Sequence, residues 1–168
     1  MDKDALIAWK LRLFSYQKQV QESQPRQQET LFNFSGLGIA PAHVEPDIIN
    51  PFGLILKPMS FWRKPAFDKG QACLYFVIDS ANTPLLLYTG ESCHSEHRWK
   101  GTHDALRYID KYIALHRQHQ LSPAVNIAFW YDAPVERKAR QQLELALILK
   151  WRSPFNKECW KWWGQPFG

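Results

Sequence analysis

Two short runs of strand-forming residues, ACLYFVI at 72–78 and LLLYT at 85–89, flank the polar stretch DSANTP at 79–84. Branched and aromatic side chains favour pleated backbone, whereas Asp, Ser, Asn and Pro favour turns, so the segment predicts an antiparallel hairpin. Its second strand is expected to stop at Gly90. A further run, VNIAFWY at 125–131, predicts a third strand. In between, at 95–120, Leu106, Ile109 and Ile113 keep helical spacing among Arg98, Lys100, Arg107, Lys111 and Arg117. This gives a basic amphipathic helix that Gly101 breaks early. Asp132, Pro134 and Glu136 supply a cap, a first-turn proline and a first-turn acid for another helix reaching about Lys150. The order strand, strand, helix, strand, helix predicts an α/β (α+β) fold with a small three-stranded antiparallel sheet flanked by helices.

Upstream, Leu6, Trp9, Leu13 and Tyr16 recur on one stripe of a helix over 4–16. Residues 17–30 carry Gln17, Gln19, Gln21, Gln24, Gln27 and Gln28 around Pro25, a composition that predicts a frayed helix end and a linker. Pro41, Pro46, Pro51, Pro58 and Pro65 follow within residues 31–70, and repeated proline excludes a long helix or a central strand there. The expected organisation is therefore a helix, linker and proline-rich covering segment over 1–70, followed by the main unit over 71–168. A chain of 168 residues is long enough for one substantial core and short for two ordinary domains.

Lys and Arg number 21 against 16 Asp and Glu, a net charge of +5 that favours polyanionic partners. Four tryptophans fall in the last eighteen residues, interleaved with Arg152, Lys157 and Lys161 and next to Lys150. Such a segment serves either as indoles capping a core or as a surface for bases and phosphates. Lys100, Arg107, Lys150 and Arg152 are the candidate nucleic-acid contacts. No apolar run approaches the roughly 18–20 residues of a membrane span, and MDKDALIAWKLR scatters charge where a signal peptide would be apolar. The expectation is a soluble, unexported, cytoplasmic protein with no membrane partner. Cys73, Cys93 and Cys159 form no C-x-x-C pair, which argues against a disulfide framework. A zinc site built from Cys93, His94, His97 and His103 is a further reading, although adjacent ligands without a second paired cluster suit structural zinc poorly.

Glu144 stands in QQLELALIL among Leu143, Leu145, Ala146, Leu147, Ile148 and Leu149. A carboxylate there either reaches solvent and pairs with Arg140 one turn earlier, or is held partly buried by a cation. Other residues enlarge the pattern: Tyr75 in Cys73-Leu74-Tyr75, Tyr88 in Tyr88-Thr89-Gly90, then Arg98, and Asn156 in Ser153-Pro154-Phe155-Asn156. With these, residues 71–158 resemble the GIY-YIG nuclease family, named for two short tyrosine motifs on a β-hairpin. Tyr75 falls on the last position of the first motif, Tyr88 on the first position of the second and Gly90 on its glycine. Arg98 follows at the family's arginine spacing, Glu144 matches the metal-binding glutamate of the later helix, and Asn156 matches the asparagine after it. There are departures. Cys73 and Leu74 replace the glycine and isoleucine of the first motif, and Thr89 the isoleucine of the second. Glu91 stands where several members place a lysine, and a carboxylate beside a scissile phosphate repels it. The family's histidine or tyrosine one turn after the arginine would fall on Thr102, with His103 one residue later.

The resemblance implies a metal-dependent endonuclease acting on DNA, with RNA also open as substrate. Glu144 would hold a single Mg2+ or Mn2+ ion, and Arg98 would clamp the phosphate. A hairpin tyrosine, Tyr88 ahead of Tyr75, would assist attack by water. Asn156 would orient the glutamate helix or a tyrosine, and His103 and Gly90 are further candidates at the site. The other reading is a nucleic-acid-binding protein that keeps the scaffold without cleaving.

Overall fold

In the computed structural model, which describes residues 1–23, 44–59, 71–93 and 104–167, the hairpin forms as β2 (Cys73–Asp79) and β3 (Leu85–Ser92). With β1 (Lys57–Pro58) and β4 (Val125–Trp130) it makes a four-stranded sheet in the order β1-β4-β2-β3, every pair antiparallel. The fourth strand corrects the expected three. Lys57 and Pro58 pair with Ile127 and Asn126 along the outer side of β4. Two residues carry no readable alternation, and proline is tolerated there because an edge strand does not need its N–H. β3 also continues past Gly90 to Ser92, since Tyr75, Leu74 and Cys73 remain available as partners for Gly90, Glu91 and Ser92.

Four helices complete the described fold: α1 (Lys3–Ser23), α2 (Asp104–Gln118), α3 (Arg137–Trp151) and the short α4 (Trp160–Trp163). α3 starts later than Asp132 predicts. Its cap is Glu136, whose carboxylate accepts the Lys138 and Ala139 amides and is held below the usual carboxylate pKa by those two bonds.

β2 is buried on both faces, which explains its unbroken apolar run. On one face Leu74, Phe76, Ile78, Leu86 and Ala128 pack against Leu143, Leu147 and Trp151 of α3. On the other, Val77, Leu85 and Leu87 meet Leu6, Trp9 and Leu13 of α1 and Tyr108, Ile109 and Tyr112 of α2. α1 is thus part of the same core as the sheet, and it runs on through residues expected to be linker. Gln17 is buried: its Nε2 donates to the Leu86 and Trp151 carbonyls at 2.9 and 3.1 Å, and its Oε1 accepts the Leu86 N–H at 2.9 Å. A primary amide can donate and accept at once, so here it joins α1, β3 and the end of α3.

Candidate active site

Tyr75 and Gly90 are direct partners across the hairpin. A Cβ at Gly90 would overlap the Tyr75 phenol ring and hydroxyl, so the absence of a side chain is what lets the ring lie flat on β3. Tyr88 is two positions away and therefore on the same face as Gly90. Its ring centroid lies 6.0 Å from that of Tyr75 with a 30° interplanar angle. Tyr75 is fully buried and also touches Phe129, whereas Tyr88 is half-buried.

One residue further along β3, the Glu91 N–H donates to Glu144 Oε1 at 3.1 Å. Glu144 is half-buried on α3 and reaches the outer side of β3, so its carboxylate sits one peptide unit from the Tyr75–Gly90 contact. The Glu91 carboxylate is met by Arg140 Nε at 2.6 Å, both groups being buried. Arg140 Nη1 in turn donates to the Pro134 and Val135 carbonyls at 3.0 and 2.9 Å. Arg140, one of the two partners considered for Glu144, thus neutralises Glu91 instead.

Asn156 grips the same strand from the chain after α3. Its Oδ1 accepts the Thr89 N–H at 3.0 Å, its Nδ2 donates to the Thr89 carbonyl at 2.9 Å, and Ser153 Oγ donates to Oδ1 at 2.6 Å. The Phe155 N–H donates to the Leu87 carbonyl at 2.9 Å. Thr89 lies between Tyr88 and Gly90, so Asn156 fixes the backbone that carries both. Tyr75, Tyr88 and Gly90 therefore share one face of the hairpin, while Asn156 and Glu144 bond its outer backbone at Thr89 and Glu91, Glu144 doing so from α3, which packs on the opposite face.

Arg98, Lys100 and His103 lie outside the described residues, as do His94 and His97 of the zinc reading; Cys93 is exposed. Arg107 is exposed on α2, with its guanidinium against the Tyr108 ring. Lys150 pairs with Asp47 at 2.8 Å and donates to the Pro46 carbonyl at 3.2 Å. Arg152 lies between the Tyr16 and Trp162 rings. Of the expected nucleic-acid contacts, Lys150 therefore has an acidic partner within the fold, whereas Arg152 packs against aromatic rings.

A buried polar cluster that sequence reasoning missed lies at the turn end of the hairpin. Asp79 Oδ2 accepts Tyr112 Oη at 2.5 Å and Lys10 Nζ at 3.0 Å, while Oδ1 accepts the Ala124 N–H at 2.8 Å. Burial alone would raise the Asp79 pKa, but the Tyr112, Ala124 and Lys10 hydrogen bonds outweigh it and hold the value below the usual carboxylate range. Burial and the facing Asp79 charge push the Tyr112 phenol upward. His116 Nδ1 lies 2.8 Å from the Tyr112 carbonyl and Nε2 lies 3.1 Å from Lys10 Nζ, which suits a neutral ring donating from Nδ1 and accepting at Nε2. Aspartate at a turn is ordinary in sequence, so Asp79 gave no signal of its own.

Among the described residues no three His, Cys, Asp or Glu side chains gather as a metal-binding group. A cation at Glu144 would therefore take one carboxylate from these residues, with water and substrate oxygens completing its shell; that donor set fits a hard ion such as Mg2+ or Mn2+. Thiol chemistry is a poor fit at Cys159, where burial and then Glu158 push the pKa up to about 12. No described helix is long and apolar enough to cross a membrane. Comparisons with protein-family models, curated proteins and solved structures found no match to this chain.

Proposed function

We propose that this chain is a metal-dependent endonuclease of the GIY-YIG kind, hydrolysing phosphodiester bonds of DNA. The supporting observation is the hydrogen bond from the Glu91 amide to Glu144, which sets a carboxylate beside the glycine that Tyr75 covers. In this reading Tyr88 is the better base, because it is partly open to solvent while Tyr75 is closed off. Tyr75 then orients the phosphate or the attacking water. Arg98 contacts the non-bridging oxygens through its fork of donors. Glu144 would hold a divalent ion, which would supply positive charge for the leaving oxygen. Asn156 is a positioning residue that acts through the Thr89 peptide, and Arg140 keeps Glu91 from opposing the substrate's charge.

The test is cleavage of supercoiled plasmid and short duplex DNA with Mg2+, with Mn2+ and with EDTA. Wild type should cut only with a divalent ion, and Glu144→Gln should lose at least about a hundredfold in rate. Cleavage by Glu144→Gln equal to wild type sinks the proposal; DNA binding without cleavage by wild type moves the chain to the binding-protein reading.

A further inference from the structure

Arg152 is fixed by both backbone and side chain. It caps α3 in the left-handed region, φ 48° and ψ 50°, and its carbonyl accepts Trp163 Nε1–H at 2.7 Å. Its guanidinium carbon lies 4.3 Å from the Tyr16 ring centroid and 4.3 Å from that of Trp162. The same indole carries a second cation, with Lys161 Nζ 4.2 Å from its centroid. Two positive charges thus share one ring.

Neither charge has an acidic partner among the described residues. Lys10, Arg140 and Lys150 each meet a carboxylate, whereas no ion pair forms at Arg152 or Lys161, and Glu158 of the same segment bridges neither. A guanidinium packed against rings makes its hydrogen bonds in its own plane. Arg152 Nε is buried and finds no acceptor among the described residues. The result is a pre-oriented cation with no anion among the described residues, flanked by a second cation on exposed Lys161.

We propose that Arg152 and Lys161, spaced by Trp162, contact consecutive phosphates of a nucleic-acid strand and extend the substrate surface away from Glu144 along α3. The choice of nucleic acid over other polyanions rests on the nuclease reading. Arg152 follows Glu144 by about 12 Å along the helix axis, at about 1.5 Å per residue. On duplex DNA that span covers roughly three to four base-pair steps at about 3.4 Å each. The separation of Glu144 and Arg152 along α3 thus corresponds to a few nucleotides of strand.

The experiment is fluorescence anisotropy of labelled single-stranded and duplex oligonucleotides in EDTA, between about 50 and about 200 mM salt. Arg152→Gln and Lys161→Gln should each weaken binding several-fold at low salt. Each should also reduce the slope of log affinity against log salt by about 0.7 on single strands and about 0.9 on duplex. Lys161 is exposed, so its variant reports even if Arg152→Gln folds poorly, which thermal melting checks. An unchanged slope in folded Lys161→Gln, no DNA binding by wild type, or equal binding to polyglutamate overturns the proposal. Because EDTA removes cleavage from the measurement, these outcomes are distinct from the Glu144→Gln test of the nuclease reading.

Discussion

Arg140 and Glu91 meet at 2.6 Å inside the protein, joining the first turn of α3 to the end of β3. The guanidinium also holds two carbonyls ahead of the helix, so this pair ties the Glu144 helix to the strand that the Glu144 carboxylate caps. Removing one partner leaves a buried charge uncompensated. Arg140→Met is expected to cost about 3–5 kcal/mol in urea denaturation, with much of the loss recovered in Arg140→Met/Glu91→Leu. A single variant as stable as wild type would refute the buried pair.

Gly90→Ala drives a methyl group into the Tyr75 phenol. Overpacking of this kind costs about 1–3 kcal/mol. Tyr75→Val opens the space, so Gly90→Ala should be far less harmful in that background while DNA cleavage stays low. Additive losses in the double-mutant cycle would show that the two residues do not touch.

Asn156→Asp replaces the donor facing the Thr89 carbonyl with a second acceptor. The expected loss is about 1–3 kcal/mol in chemical denaturation, the cost of an unmet buried polar group. Its effect on cleavage should appear mainly in kcat rather than in KM, because Asn156 acts through the backbone carrying Tyr88 and Gly90.

His116 and Asp79 give acid sensitivity in two separate windows. Burial lowers the His116 pKa from its ordinary 6.5, outweighing the Tyr112 carbonyl, and the Lys10 charge adds to the lowering. The unfolded chain therefore binds the proton first, so this contribution is complete above about pH 6.5 and is lost as pH falls below it. Asp79 also has a lowered folded value, and its contribution is present above its ordinary 3.8 and lost on further acidification. Denaturation of wild type from about pH 8 to about pH 5 should show falling stability, and His116→Gln should flatten that slope. A variant with the wild-type slope would remove His116 from the account.

The hairpin, the third long strand and the flanking helices were legible because their patterns are local: a run of strand formers, a turn, a helical stripe. Tyr75, Tyr88 and Gly90 could be placed on the hairpin for the same reason. What joins Glu144 to them was not legible, since one carboxylate meeting one amide across 53 positions leaves no periodicity. The local rule paired Arg140 with Glu144 one turn away, but Arg140 pairs with Glu91, 49 positions away. Gln17 was hidden by composition: in a glutamine-rich stretch nothing marks its amide as a buried one. β1 escaped because two residues are too few to alternate, and Asp79 because turn chemistry already accounted for it.

The outer margin of β3 is held by unlike donors and acceptors: Gln17 at Leu86, the Phe155 amide at Leu87, Asn156 at Thr89 and Glu144 at Glu91. Those backbone groups are not open for pairing with a strand from another molecule, so this side of the sheet resists the edge-to-edge association that leads to aggregation. Substitutions at Gln17 or Asn156 should therefore reveal themselves first as turbidity in concentrated samples, before any loss of helix is seen.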